Sequence, residues 1–171
     1  MPVTVTVEDG TGLSNANSYL TVAELRDYFA VVPDAATFIA LSDDVLGQYV
    51  IWATRTLDQK TLWKGCALTD TQALAWPRQF VYDKYGKAVA SDSVPSQVKA
   101  ITAEFARWMQ DNDPSDGSDI SNIKQITVDV IDIIFQDQTS QTNWPTIFNQ
   151  IIDGLGRMQI GAKQSGRVVK A

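Results

Sequence analysis

Between Ser42 and Lys60 the apolar residues recur every 3.6 positions, and no other part of the chain restricts the fold as strongly. Leu46, Tyr49, Val50, Ala53 and Leu57 form a continuous stripe along one side of a helix. Ser42 is a good N-cap, and Asp43 and Asp44 occupy the first turn, where the helix dipole favours negative charge. Three further segments carry helical signals. Thr21 and Glu24 form a capping box for a helix over 21–31, with Leu25, Tyr28 and Phe29 on one face and Pro33 as its stop. Pro95 opens a helix over 95–109, whose buried face is Val98, Ile101, Phe105 and Met109, with Trp108 adjoining. Asn143 and Pro145 start a helix over 144–153 carrying Ile147, Phe148, Ile151 and Ile152, closed by Gly154 and Gly156.

The remaining segments are shorter. Val3, Val5 and Val7 alternate with Thr4 and Thr6, the pattern of a half-buried strand. A helical turn is expected at 35–40. Thr69 as N-cap, Gln72 at the capping-box position and Pro77 as a stop predict a short helix over 70–75. Residues 80–89 read as a small hairpin or a wide turn with Gly86 at its tight position. Residues 111–122 form a polar loop, and 123–135 switch to a β pattern that ends in the dense apolar run Ile131 to Phe135. The last fifteen residues have no sustained periodicity and read as an arm. The expected fold is therefore mainly α, a small helical bundle with a minor β element at about 123–135. It divides into a domain over 1–156 and an extended basic C-terminal arm over 157–171.

Composition narrows the chemistry. With 44% hydrophobic residues and five Trp among 171 residues, the chain has material for a substantial core. It contains no histidine, which removes Ser-His-Asp and Cys-His triads, His-ligated zinc and an imidazole base. Cys66 is the single cysteine and reads as a small buried hydrophobe rather than a reactive thiol. The first residues are neither basic nor continuously apolar, so no secretory leader is expected, and no apolar run reaches the ~20 residues of a membrane helix. The net charge of −6 is uneven: residues 157–171 hold Arg157, Lys163, Arg167 and Lys170 without a carboxylate, which leaves −10 on the other 156 residues.

Candidate sites are few. Asp9-Gly10-Thr11-Gly12 resembles a phosphate loop, but Asn15 stands where a dinucleotide motif needs glycine, so a turn is expected. Asp111, Asp113, Asp116 and Asp119 around Gly117 fit no calcium-loop register: with Gly117 sixth, Pro114 and Ile123 fall on ligand positions, and with Asp111 first, Asp116 stands where glycine belongs, so a solvated loop is expected. No metal, no cofactor and no catalytic residue is assigned, and the chain is not expected to be an enzyme. Trp and Tyr could stack on bases, yet the cations of the body are scattered singly, and Trp52, Trp76, Phe105 and Trp108 read as core. The run Ile126, Val128, Val130, Ile131, Ile133 and Phe135 is an association surface if left at a sheet edge, and Val168 and Val169 are an apolar anchor on the arm.

Several motifs together carry a resemblance: Asp9-Gly10-Thr11-Gly12, Ala16-Asn17-Ser18-Tyr19, Ala53-Thr54-Arg55, Trp63-Lys64-Gly65, Gln72-Ala73-Leu74-Ala75-Trp76-Pro77-Arg78 and Val94-Pro95. Over Glu8 to Met109 the chain resembles the head-completion proteins of tailed phages, the head–tail connectors or adaptors, whose members are often labelled DnaT-like single-stranded DNA-binding proteins. The resemblance implies a structural virion protein, a twelvefold homo-oligomeric ring under the portal that extends the DNA channel and presents a surface to the next neck or tail protein, a stopper or tail terminator. Packaged double-stranded DNA would pass through its lumen without specific binding, which suits an acidic body. The place implied is the head–tail interface of the virion, reached by assembly in the host cytoplasm. In that setting Arg157, Lys163, Arg167, Val168, Val169 and Lys170 are expected to dock on the portal, and the 126–135 run to join ring neighbours. The alternative function is single-stranded DNA binding.

Overall fold

The computed structural model describes residues 3–113 and 146–158. The helical segments in chain order are α1 (Val22–Phe29), α2 (Ala36–Ile39), α3 (Asp43–Lys60), α4 (Ser96–Trp108) and α5 (Thr146–Ile151). The strands are β1 (Thr61–Trp63), β2 (Cys66–Ala67), β3 (Arg78–Gln79) and β4 (Gly156–Met158). β1 pairs antiparallel with β4, setting Leu62 opposite Arg157, and β2 pairs antiparallel with β3.

The capping signals act where expected. Thr21 Oγ1 accepts from the Glu24 amide while the Glu24 carboxylate accepts from the Thr21 amide, a complete capping box. Ser42 Oγ accepts from the Val45 amide at the start of α3. α1 stops at Phe29, two residues short of the expected end, and Val31 stands 87% exposed. The α3 stripe is buried through Leu46, Val50, Ala53 and Leu57, and α3 packs on α4 through Ile101, Phe105 and Ala106. α5 closes the far side with Phe148, whose ring centroid lies 4.8 Å from that of Phe105.

A second, smaller core joins Tyr19, Trp76, Val81, Val98 and Leu155. Trp63 touches both cores, and its ring meets Trp76 edge-on with centroids 5.7 Å apart.

The expected mainly helical bundle does not form. α2 has four residues, and residues 61–95 contain no helix. They are built instead from β1–β3, turns and a hairpin. The helix expected over 70–75 is absent for a specific reason. The Ala75 amide donates to Asp58 Oδ2 and the Trp76 amide to Tyr19 Oη, so tertiary acceptors take donors that a helix would have used. Gln72 Oε1 does accept from the Thr69 amide, as its capping position suggests, but its Nε2 donates forward to the Leu74 and Pro77 carbonyls and fixes a turn. The Trp76–Pro77 peptide is cis.

The strand expected over residues 3–7 does not form. Only Val7 bridges Ser18, while Val3 and Val5 pack over Gly47 of α3. The 80–89 hairpin is present: Tyr82 pairs antiparallel with Ala88, and the Asp83 amide donates to the Lys87 carbonyl. The β element expected at 123–135 and the arm beyond residue 158 lie outside the described residues.

Candidate nucleic-acid interface

Three polar arrangements stand out among the described residues, and two of them serve the fold. The first is the Glu8 loop. Glu8 is 2% exposed, and its carboxylate accepts three amides at 2.9 Å each, Gly10 and Gly12 on Oε1 and Leu13 on Oε2. Successive amides converging on one point make an anion-binding nest. Here the anion is the chain's own carboxylate, so the phosphate-like appearance of Asp9-Gly10-Thr11-Gly12 is explained and the nest is filled. Asp9 next to it accepts from the Thr11 hydroxyl and amide, which hold its pKa below the usual carboxylate value.

The second arrangement is centred on Asp58, on the last turn of α3. Both its carboxylate oxygens accept from the Tyr19 hydroxyl, at 2.7 and 2.8 Å, and Oδ2 also accepts from the Ala75 amide. Burial pushes the Asp58 carboxyl up, against the lowering effect of these donors. Burial and the facing Asp58 charge raise the Tyr19 hydroxyl well above the ordinary tyrosine value. This pair ties the Ala16–Tyr19 segment, α3 and the Trp76 turn together. It lies in the interior.

The third arrangement faces solvent. Along Phe80, Val81 and Tyr82 the side chains alternate: Val81 is buried, while Phe80 is 75% and Tyr82 55% exposed. Tyr85 at the hairpin tip is 83% exposed, with Lys84 Nζ 5.3 Å from its ring centroid. Lys64, Lys84 and Lys87 are exposed as well, Lys84 and Lys87 on the same hairpin and Lys64 next to Gly65, which the Gln79 carbonyl closely approaches. Phe80 adopts φ 58, a left-handed conformation uncommon for a bulky residue.

Close backbone approaches hold the surface together. The Lys64 amide donates to the Leu155 carbonyl. At Gly65 (φ +70) a Cβ would stand 2.1 Å from the Gln79 carbonyl oxygen, and at Gly154 (φ +88) 2.4 Å from the Lys84 nitrogen. Arg78 fixes the base of the hairpin by donating to the carbonyls of Lys64, Gly65 and Ala75. Segments 62–65, 79–85 and 154–157 therefore form one layer. Residues 60–89 carry five cations against two carboxylates, in a chain whose net charge is −6.

The structure thus brings together cations that look isolated in sequence. No local pattern marks them: Phe80, Val81 and Tyr82 are all hydrophobic in sequence, and only the structure shows Val81 buried between two exposed rings. The reading of Trp76 and Phe105 as core holds, and Trp52 and Trp108 pack against that core. Cys66 is a correction: it lies exposed on β2, because that two-residue strand sits at the surface. Of the expected docking residues, Arg157 falls on β4 opposite Leu62. Lys163, Arg167, Val168, Val169 and Lys170 lie outside the described residues, as do Ile126, Val128, Val130, Ile131, Ile133 and Phe135.

The described residues thus combine packed helices with a small β layer that carries exposed rings and lysines. Residues 3–171 match the family described as "Putative DnaT-like ssDNA binding protein", and the chain belongs to that family. No curated protein and no solved structure matches it.

Proposed function

We propose that the protein binds single-stranded DNA through the layer formed by β1, the 80–89 hairpin and the 154–157 segment. The observation that carries this is the set of solvent-facing rings at Phe80, Tyr82 and Tyr85 on the same layer as the exposed Lys64, Lys84 and Lys87. Unpaired bases offer π faces that a duplex hides, so exposed rings favour single strands, and nearby ammonium groups neutralise the phosphates. The family description points the same way.

Fluorescence anisotropy with a labelled oligothymidylate tests this. The full chain should bind at low salt. With three lysines engaged, log Kd should change with log salt at a slope of about 2. Stacking contributes about 1–3 kcal/mol per base, so Phe80→Ala combined with Tyr85→Ala should weaken binding at least tenfold. Absence of binding at 50 mM salt would sink this reading.

A second reading, a head-completion ring at the head–tail interface of a virion, is favoured by the −10 charge of residues 1–156, which suits a lumen that duplex DNA slides through. On that reading the partners are a portal protein, contacted by the 157–171 arm, the next neck protein and further copies of this chain. Electron micrographs of the purified protein should then show closed rings, and monomers at high concentration would count against it.

A further inference from the structure

A groove of about 570 Å³ lies between α1, the first turns of α4 and α5. Its floor is apolar, formed by Leu20, Ala100, Ala103 and Ile151. Its rim is acidic on balance. Glu24 and Asp27 face a single cation, Lys99, and Lys99 is already paired with Glu24 at 2.6 Å. Tyr28, also in the lining, donates to Glu104 at 2.9 Å, which adds a further carboxylate beside the groove. An apolar floor with an acidic rim suits a short segment whose apolar residues are flanked by cations.

The chain has two apolar runs outside the described residues. Ile131 to Phe135 is surrounded by Asp129, Asp132 and Asp137, which the rim would repel. Val168 and Val169 are flanked by Arg167 and Lys170, and residues 157–171 contain no carboxylate side chain. We infer that the α1–α4–α5 groove receives residues 167–170 of the same chain, with the two valines on the apolar floor and the two cations on the Glu24 and Asp27 rim. Eight residues lie between Met158 and Arg167, nine Cα–Cα steps that reach roughly 30 Å when extended.

The inference can be tested by disulfide trapping in the full chain. In a Cys66→Ser background, Val169→Cys is paired with Ser96→Cys, since Ser96 lines the groove and is exposed. Under mild oxidation an intramolecular bond should form at a rate independent of protein concentration. Charge reversal by Arg167→Glu and Lys170→Glu should slow it at least fivefold, and 1 M salt should do the same. A second pair, Val169→Cys with Gln97→Cys, guards against misfolding of the first, and circular dichroism checks both. A control pair uses Gln59→Cys, exposed on α3 and absent from the groove lining. The inference is overturned if neither groove pair closes faster than the control. It is also overturned if charge reversal leaves the rate unchanged, or if the bond forms between two chains.

Discussion

Replacing Glu8 should cost this protein more stability than almost any other single polar substitution. The carboxylate accepts three amides at 2.9 Å, and the loop from Gly10 to Leu13 is wound around it. Hydrogen bonds to a charged group contribute about 1.5–3 kcal/mol each, and an orphaned buried donor costs about 1–3 kcal/mol. Glu8→Gln retains Oε1 for Gly10 and Gly12 but turns an NH2 group toward the Leu13 amide, so one charge-assisted bond becomes a donor–donor contact. The expected loss is about 2 kcal/mol. Glu8→Ala removes all three acceptors. Water can reach the Gly12 and Leu13 amides more readily than that of Gly10, which limits the loss to about 3–5 kcal/mol. A single domain has about 5–15 kcal/mol in total, so the alanine variant should be marginal. Equilibrium unfolding in urea, followed by tryptophan fluorescence, reads these values. With a slope of about 2 kcal/mol per molar, the midpoint should fall by about 1 M for glutamine and about 2 M for alanine. If both variants unfold within 0.3 M of the parent at unchanged slope, the nest is not a stabilising element and the reasoning fails.

Asp58→Asn should show a pH signature. Burial raises the folded-state pKa of Asp58 above its unfolded value, so its contribution is fully present below the unfolded pKa and is lost as pH rises through the folded one. Asparagine lacks this dependence, so the variant should gain on the parent in thermal midpoint between pH 4 and pH 8; a constant difference would refute the burial argument. Gly154→Ala would place a methyl 2.4 Å from the Lys84 nitrogen at φ +88. Destabilisation by about 2–3 kcal/mol, with weakened binding to oligothymidylate, is the expected result. Normal stability and normal binding would show that the Gly154 contact does not hold the hairpin layer.

The helices were legible in the sequence because their signals are local. The capping box at Thr21 and Glu24 and the Ser42 cap act through backbone amides only three residues away, and the stripe from Leu46 to Leu57 repeats with the helix period within α3 itself. The hairpin at 80–89 was legible for the same reason, since Gly86 and Asp83 shape its turn directly. Residues 69–77 carried an equally good local signal and still did not form a helix. Their fate depends on Asp58 and Tyr19, 17 and 57 residues away along the chain, which bind the Ala75 and Trp76 amides. The candidate site is a tertiary product too. Lys64, Phe80 and Lys84 are separated in sequence and carry no shared motif. Their backbone segments share one layer because β1 pairs with β4 and because Gly65 and Gly154 let backbones approach within a distance no Cβ would tolerate. Sequence by itself determined where the chain could turn helical and where its charge accumulates. Which cations and rings stand together was decided only by packing, because such neighbours are set by close approaches between distant segments that no local pattern encodes.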